Sequence, residues 1–308
     1  MNVFPFLIPF FVLAVLLKQR TAVYTYEIAI WNTIIRLDVI IVRLYLFSPL
    51  GKEVFKNTIN NNLSINSFFS LTHAYNLPPN LKSLTLSCSK LVDVELPPML
   101  KKLKISSVNI NKYLDKLPKN LEYFDCNCCE NTKLENLPNT IKILKCTNNN
   151  LDQITKLPDE LEELDCERNE LTQLTNLPSG LKKLNCSINK IKSIVSLPNE
   201  LIELKCIGNK LEELNNIPNQ LIELDCSENE LTQLTNLPKT LKKLNCSNNR
   251  ITKLSNLPNN IEYLNYSYNK VTKLKYLPKC LHPHEINYTH FSSNDDSGTY
   301  CRSEEHTS

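Results

Sequence analysis

The chain has 308 residues and a net charge of +3, from 35 basic and 32 acidic side chains. It carries only four glycines, where average usage would give roughly 20. Gly51, Gly180, Gly208 and Gly298 stand too far apart for either glycine-rich phosphate cradle, and the mild charge lacks the basic excess of a nucleic-acid binder.

In chain order, residues 1–24 form an apolar N-terminal segment whose stretch 3–17, VFPFLIPFFVLAVLL, carries no charge. Three readings of it stand side by side: a signal peptide, a membrane anchor with Lys18 and Arg20 keeping the following chain cytosolic, and an apolar helix packed on the array. Residues 25–76 read as a helical cap followed by a transition. The stretch 28–50 is apolar but carries Arg36, Asp38 and Arg43, and residues 51–76 are rich in Asn and Ser. A cap of this kind would cover the first exposed core surface of an array.

Residues 77–280 are periodic. Leu-Pro or Ile-Pro recurs, and from Pro118 to Pro278 the prolines fall every 20 residues without a slip. One unit, residues 157–176, is LPDELEELDCERNELTQLTN. Around Leu164 and Cys166 the alternation has the period of a short strand. Proline fixes φ and lacks an N–H, which suits a turn or extended segment between strands. A single unit buries too few side chains to fold alone, so stacked units must share a core. A longer period is also visible: LEELDCERNELTQLTN at 161–176 is nearly copied as LIELDCSENELTQLTN at 221–236. Residues 281–308 read as a polar, flexible tail; its His and Cys residues match no strong metal spacing.

The recurrence of these leucines, the Asn and the Leu-Pro in one register resembles the leucine-rich repeat family, in particular its short LPX subclass. Arrays of that subclass occur in secreted bacterial effectors, and similar ones in large DNA viruses. The resemblance implies a repeat solenoid of about ten units, with a parallel β-sheet on its concave face and extended or turn segments on its convex face. It also implies a noncatalytic scaffold that binds a protein partner on the concave face. The chain departs from the subclass where Thr175 and Thr235 replace a second proline, and where Ser89, Val108 and Cys129 occupy the Asn position of the first three units.

Each column of the repeat then has an expected role. Cys126, Cys146, Cys166, Cys186, Cys206, Cys226 and Cys246 face the core as small hydrophobes, which suits a reducing, cytoplasmic home better than disulfides. By resemblance, Asn149, Asn169, Asn189, Asn209, Asn229, Asn249 and Asn269 form an inward ladder bonded to loop backbone. Partner contact is expected from Tyr123, Glu163, Asp165, Arg168, Lys183, Lys205, Glu223, Asp225, Lys243, Tyr263 and Tyr268. The two C-terminal tyrosines are the best anchors among them, because tyrosine is enriched at interface hot spots. Glu163, Lys183 and Glu203 are expected to pair across neighbouring strands, and the positions after each strand, such as Glu167–Arg168 and Ser267–Tyr268, to be exposed. No catalytic group, cofactor or metal is implied. Two further readings accompany the scaffold: a membrane-tethered repeat protein, and a ubiquitin-ligase substrate adaptor working through residues 25–76.

Overall fold

The computed structural model describes residues 62–66, 77, 79–87, 95–106, 110–111, 113–254, 257–271 and 286–287. The readings of residues 3–17 as leader, anchor or packed helix lie outside them, as do Ser89, Val108 and the His and Cys residues of the tail. Among the described residues, no helix is long and apolar enough to cross a membrane.

Among the described residues, twelve parallel strands form one sheet, ordered along the chain. They are β1 (Asn62–Asn66), β2 (Ser83–Ser87), β3 (Lys102–Ser106), β4 (Tyr123–Asp125), β5 (Ile143–Lys145), β6 (Glu163–Asp165), β7 (Lys183–Asn185), β8 (Glu203–Lys205), β9 (Glu223–Asp225), β11 (Lys243–Asn245), β13 (Tyr263–Asn265) and β14 (Ile286–Asn287). On the opposite side of the unit, β10 (Gln233–Leu234) pairs with β12 (Lys253–Leu254), and Leu174 bridges Ile194. From β4 to β13, partners in register are 20 residues apart, so every column of the repeat is also a column in space.

Each unit begins with a turn. The Leu161 N–H donates to the Pro158 carbonyl at 3.2 Å, and the same P-x-x-L closure recurs from Leu100 to Ile261. The proline sets φ for the turn and loses nothing by lacking an N–H there. The strand follows: Leu164 and Cys166 are buried while Glu163 and Asp165 are half-buried, the alternation that a pleated strand imposes. Leu161, Leu164, Cys166, Leu171 and Leu174 and their equivalents fill a continuous core. Each such side chain contributes about 1.5–3 kcal/mol on full burial.

After the strand the backbone turns through the left-handed region. Cys128, Asn148, Arg168, Ile188, Gly208, Glu228, Asn248 and Tyr268 all have φ between 53° and 61°. The Arg168 N–H donates to the Ser187 carbonyl at 3.0 Å and the Ile188 N–H to the Ile207 carbonyl at 2.7 Å, so neighbour bonding holds this turn in place. Asn and Gly adopt this conformation readily, whereas other side chains meet a steric cost of roughly 1–2 kcal/mol. Asn136, Asn176, Asn216 and Asn236, just before Leu-Pro, form a second left-handed set.

Two strands lie beyond the repeats as read, and one expectation about exposure is corrected. The transition read over residues 51–76 contains β1, in register with β2 from Asn62↔Ser83 to Asn66↔Ser87, so the sheet starts one unit earlier. The flexible tail read from residue 281 contains β14, which pairs with β13. The position directly after the cysteine, or after Tyr266 in the last unit, is not exposed where it is serine: Ser187, Ser227, Ser247 and Ser267 are buried. The Ser227 and Ser267 hydroxyls donate to Asp225 Oδ1 and Asn265 Oδ1, at 2.6 and 2.8 Å, and so fold back onto the strand.

Candidate functional site: the outer face of the sheet and its ridge

The sheet's outer face carries two side-chain columns, and the left-handed turns form a ridge along its edge. The first column runs Tyr123, Ile143, Glu163, Lys183, Glu203, Glu223, Lys243, Tyr263. The second runs Asp125, Lys145, Asp165, Asn185, Lys205, Asp225, Asn245, Asn265. The eleven expected contact residues all lie on these columns or on the ridge. Tyr263 and Tyr268 are 39% and 49% exposed.

Most of the charge on the face is already paired. Lys183, Glu203, Lys205, Glu223 and Lys243 form one unbroken chain, with contacts of 3.7, 2.8, 3.7 and 3.6 Å in that order. Glu203 and Glu223 are direct neighbours in register, an unfavourable like-charge pair, and Lys205 reaches both. Burial works to raise the Glu203 pKa, but the bonds from Lys205 and Lys183 outweigh it and hold the carboxyl below its ordinary value. A lowered carboxylate pKa contributes stability that is present at neutral pH and lost in acid. Glu163 departs from the expected pairing. Its ion pair is a diagonal one with Lys145, at 3.5 Å, rather than the contact expected with Lys183.

Tyr123 is also occupied. Lys102 Nζ lies 4.6 Å from its ring centroid, and its hydroxyl donates to Asp125 Oδ2 at 3.2 Å. Burial, and then the Asp125 charge, raise its pKa. Tyr123 is thus part of the wall, whereas Tyr263 and Tyr268 present more surface.

The Asn column lies behind this face. Asn189 Oδ1 accepts from the Leu171 N–H of the preceding unit at 3.0 Å, and its amide donates to the carbonyls of Cys166, Cys186 and Ser187, each at 3.1 Å. The pattern repeats from Asn149 to Asn269. In the third unit, two residues divide the task. The Cys129 thiol takes the donor part, at 3.2 Å from the Ile105 carbonyl and 3.5 Å from that of Asn127. Asn131 takes the acceptor part, receiving the Ile110 N–H at 3.1 Å. The unit that reads as degenerate at Cys129 keeps the ladder by other means.

No family model matches the sequence, and no curated protein matches it. Solved structures do. A YopM from Yersinia enterocolitica is 25% identical, with a TM-score of 0.54 over 74% of this chain; the match spans 63% of the Yersinia chain. The leucine-rich effector YopM of Yersinia pestis is 23% identical, covering 73% of this chain and 82% of that one, with a TM-score of 0.54. A leucine-rich repeat protein of Leptospira interrogans is 23% identical, covering 77% and 68%, with a TM-score of 0.56.

The fold is a leucine-rich repeat solenoid.

Within the leucine-rich repeat array, Asp165 is the acidic group whose setting is least favourable to its charge. Its carboxyl pKa is raised, first by burial, against a backbone bond from the Glu167 N–H. The same column holds Asn185, Asn245 and Asn265, whose Oδ1 atoms accept the equivalent backbone N–H bonds. A raised carboxyl pKa costs stability as pH climbs above the ordinary aspartate value of 3.8. Asp165→Asn should therefore raise the melting temperature at pH 7, and the gain should vanish near pH 3, where the native carboxyl is protonated. Thermal melts at the two pH values check this, and an equal gain at both refutes the burial argument.

Sequence reasoning overlooked three ridge residues of this repeat protein: Ile188, Gly208 and Glu228. Gly208 gave the only usable signal, as a rare glycine standing in a column that elsewhere holds Asn148 and Asn248.

Proposed function

We propose that this leucine-rich repeat protein is a noncatalytic scaffold that binds a protein partner on the outer face of its sheet and the adjoining ridge, in a reducing compartment. One observation carries the reading, the contrast between columns. The inward positions repeat Leu, Cys and Asn almost without change, while the outward ones run through Tyr, Ile, Glu, Lys, Asp and Asn. The inward positions keep every unit alike, so a contact surface can vary from unit to unit without disturbing the fold. Neighbouring strands hold contact residues about 4.8 Å apart, which makes the face a ruled and rigid surface. Nine cysteines among the described residues are free thiols, in keeping with a reducing setting.

The test is proximity labelling in cells with the full chain and with a variant carrying Arg168→Glu, Tyr263→Ala and Tyr268→Ala. All three positions are exposed, so the variant should melt as the parent does. At least one protein labelled by the parent should be lost with the variant. Identical labelling by both removes these residues from the contact surface.

A further inference from the structure

The left-handed ridge is the part of the outer surface where sequence and backbone disagree. Gly208 and Asn248 suit their φ of 61° and 53°, whereas Arg168, Ile188 and Glu228 hold the same conformation against their own sterics. Strained backbone that persists where an unstrained residue would serve marks positions held for contact. The neighbouring sheet face is less available for contact, since Lys183, Glu203, Lys205, Glu223 and Lys243 already neutralise one another.

The ridge has one gap. A Cβ placed on Gly208 would lie 3.6 Å from Ile188 Cγ1 and 3.8 Å from Glu228 Oε2, at ordinary contact distance from both. Gly208 is thus the floor of a notch with an aliphatic wall on one side and a carboxylate on the other. Ile188 is 44% exposed, and Ile207, bonded to it through the backbone, is half-buried beside the notch. Glu228 is exposed and takes part in no ion pair among the described residues.

An apolar wall leading to an anion is the complement of a long aliphatic stem ending in a cation. Lysine and arginine have that shape, burying the stem while the charged head stays at the rim. We infer that the notch at Gly208 docks a protein partner by receiving a lysine or arginine side chain, its stem along Ile188 and its cation on Glu228. This rests on the scaffold reading above and narrows it to one contact of stated chemistry.

The experiment selects peptides from a phage-displayed random library on the full chain, then measures affinities of the synthesised peptides for the parent and for single variants. Gly208→Asn fills the notch with a residue that the same column carries at the same φ, in Asn148 and Asn248, so it should fold. Glu228→Gln removes the charge, and Tyr263→Ala alters the face but not the notch. The selected peptides should share a lysine or arginine whose replacement by alanine weakens binding at least tenfold. Gly208→Asn should weaken binding at least tenfold and Glu228→Gln severalfold, both with unchanged melting temperature. Full binding to Gly208→Asn, or peptides without a shared basic residue, overturns the notch. Binding lost with Tyr263→Ala alone does so too, while leaving the scaffold reading in place. A selection that enriches nothing overturns both. Self-association of the chain that Gly208→Asn abolishes would overturn the assignment to a different protein.

Discussion

Asn189→Ala is expected to destabilise the array by roughly 1–3 kcal/mol, beyond a typical surface change. Asn189 joins two units. Its Oδ1 is the acceptor for the Leu171 N–H, and its amide serves the carbonyls of Cys166, Cys186 and Ser187. All of these bonds but the one to Ser187 tie the ladder to positions filled by core leucine or cysteine, out of reach of solvent. Alanine leaves the Leu171 N–H without a partner, at roughly 1–3 kcal/mol for a buried group left unsatisfied, while the three carbonyls each keep one bond, from Asn169, Asn209 and the Arg168 N–H. The loss falls on the interface between successive units, where a solenoid keeps most of its stability. Asn269→Ala should cost less, because that residue is only half-buried near the end of the described array.

The third unit supplies an internal control. Cys129 fills the donor half of the asparagine role with its thiol, so Asn189→Cys should cost less than Asn189→Ala. Urea denaturation of the three variants beside the parent settles the order. A cost below 1 kcal/mol for Asn189→Ala would mean that the ladder is decorative.

How far the fold was legible follows from where the repeat is intact. Residues 118–278 carry Leu-Pro, the L-x-x-L-x-C core and a fixed step, and here strands, core columns and the outer face can all be read from the letters. β1 escaped because NLSIN is preceded by no Leu-Pro, although its Leu63 and Ile65 keep the L-x-I spacing. β14 escaped because Ile286 lies eight residues after Pro278, where Leu264 lies six after Pro258. The exchange between Cys129 and Asn131 could not be read, since it depends on which backbone groups the two side chains reach. The ridge was hidden for a different reason. Arg168, Ile188, Glu228 and Tyr268 carry no sequence signal for a left-handed backbone, and the bonds from neighbouring units impose it on them. The pairing of Glu163 with Lys145 shows the same limit, because a strand ladder permits direct and diagonal partners alike and only side-chain reach selects between them.

The second large effect concerns the thiols. In the native protein at pH 8, iodoacetamide should modify Cys128 readily and leave the seven column cysteines, Cys126 to Cys246, untouched until the array unfolds. Alkylation needs the thiolate. Burial is the first cause that pushes the Cys186 and Cys246 thiols up to about 12, and it holds those of Cys126, Cys146, Cys166, Cys206 and Cys226 well above their ordinary value. A pKa of about 12 leaves roughly one thiol in 10⁴ ionised at pH 8, against about a quarter for a free cysteine. Cys128 stands outside the core on the ridge and is exposed. Burial thus suppresses the thiolate along the whole column, and the absence of an access path to the core adds to the protection. The Cys166 Sγ lies 3.4 Å from the Asn185 carbonyl and the Cys206 Sγ 3.5 Å from that of Asp225, contacts in which the thiol must keep its proton to donate. Peptide mapping after timed alkylation reads each cysteine separately. Column thiols that react together, at the rate at which urea unfolds the array, would show a single cooperative core. Cys186 or Cys206 reacting as fast as Cys128 in the native state would mean that the centre of the solenoid opens without unfolding. The asparagine ladder, which closes that column against the backbone of the preceding unit, would then be weaker than its bonds imply.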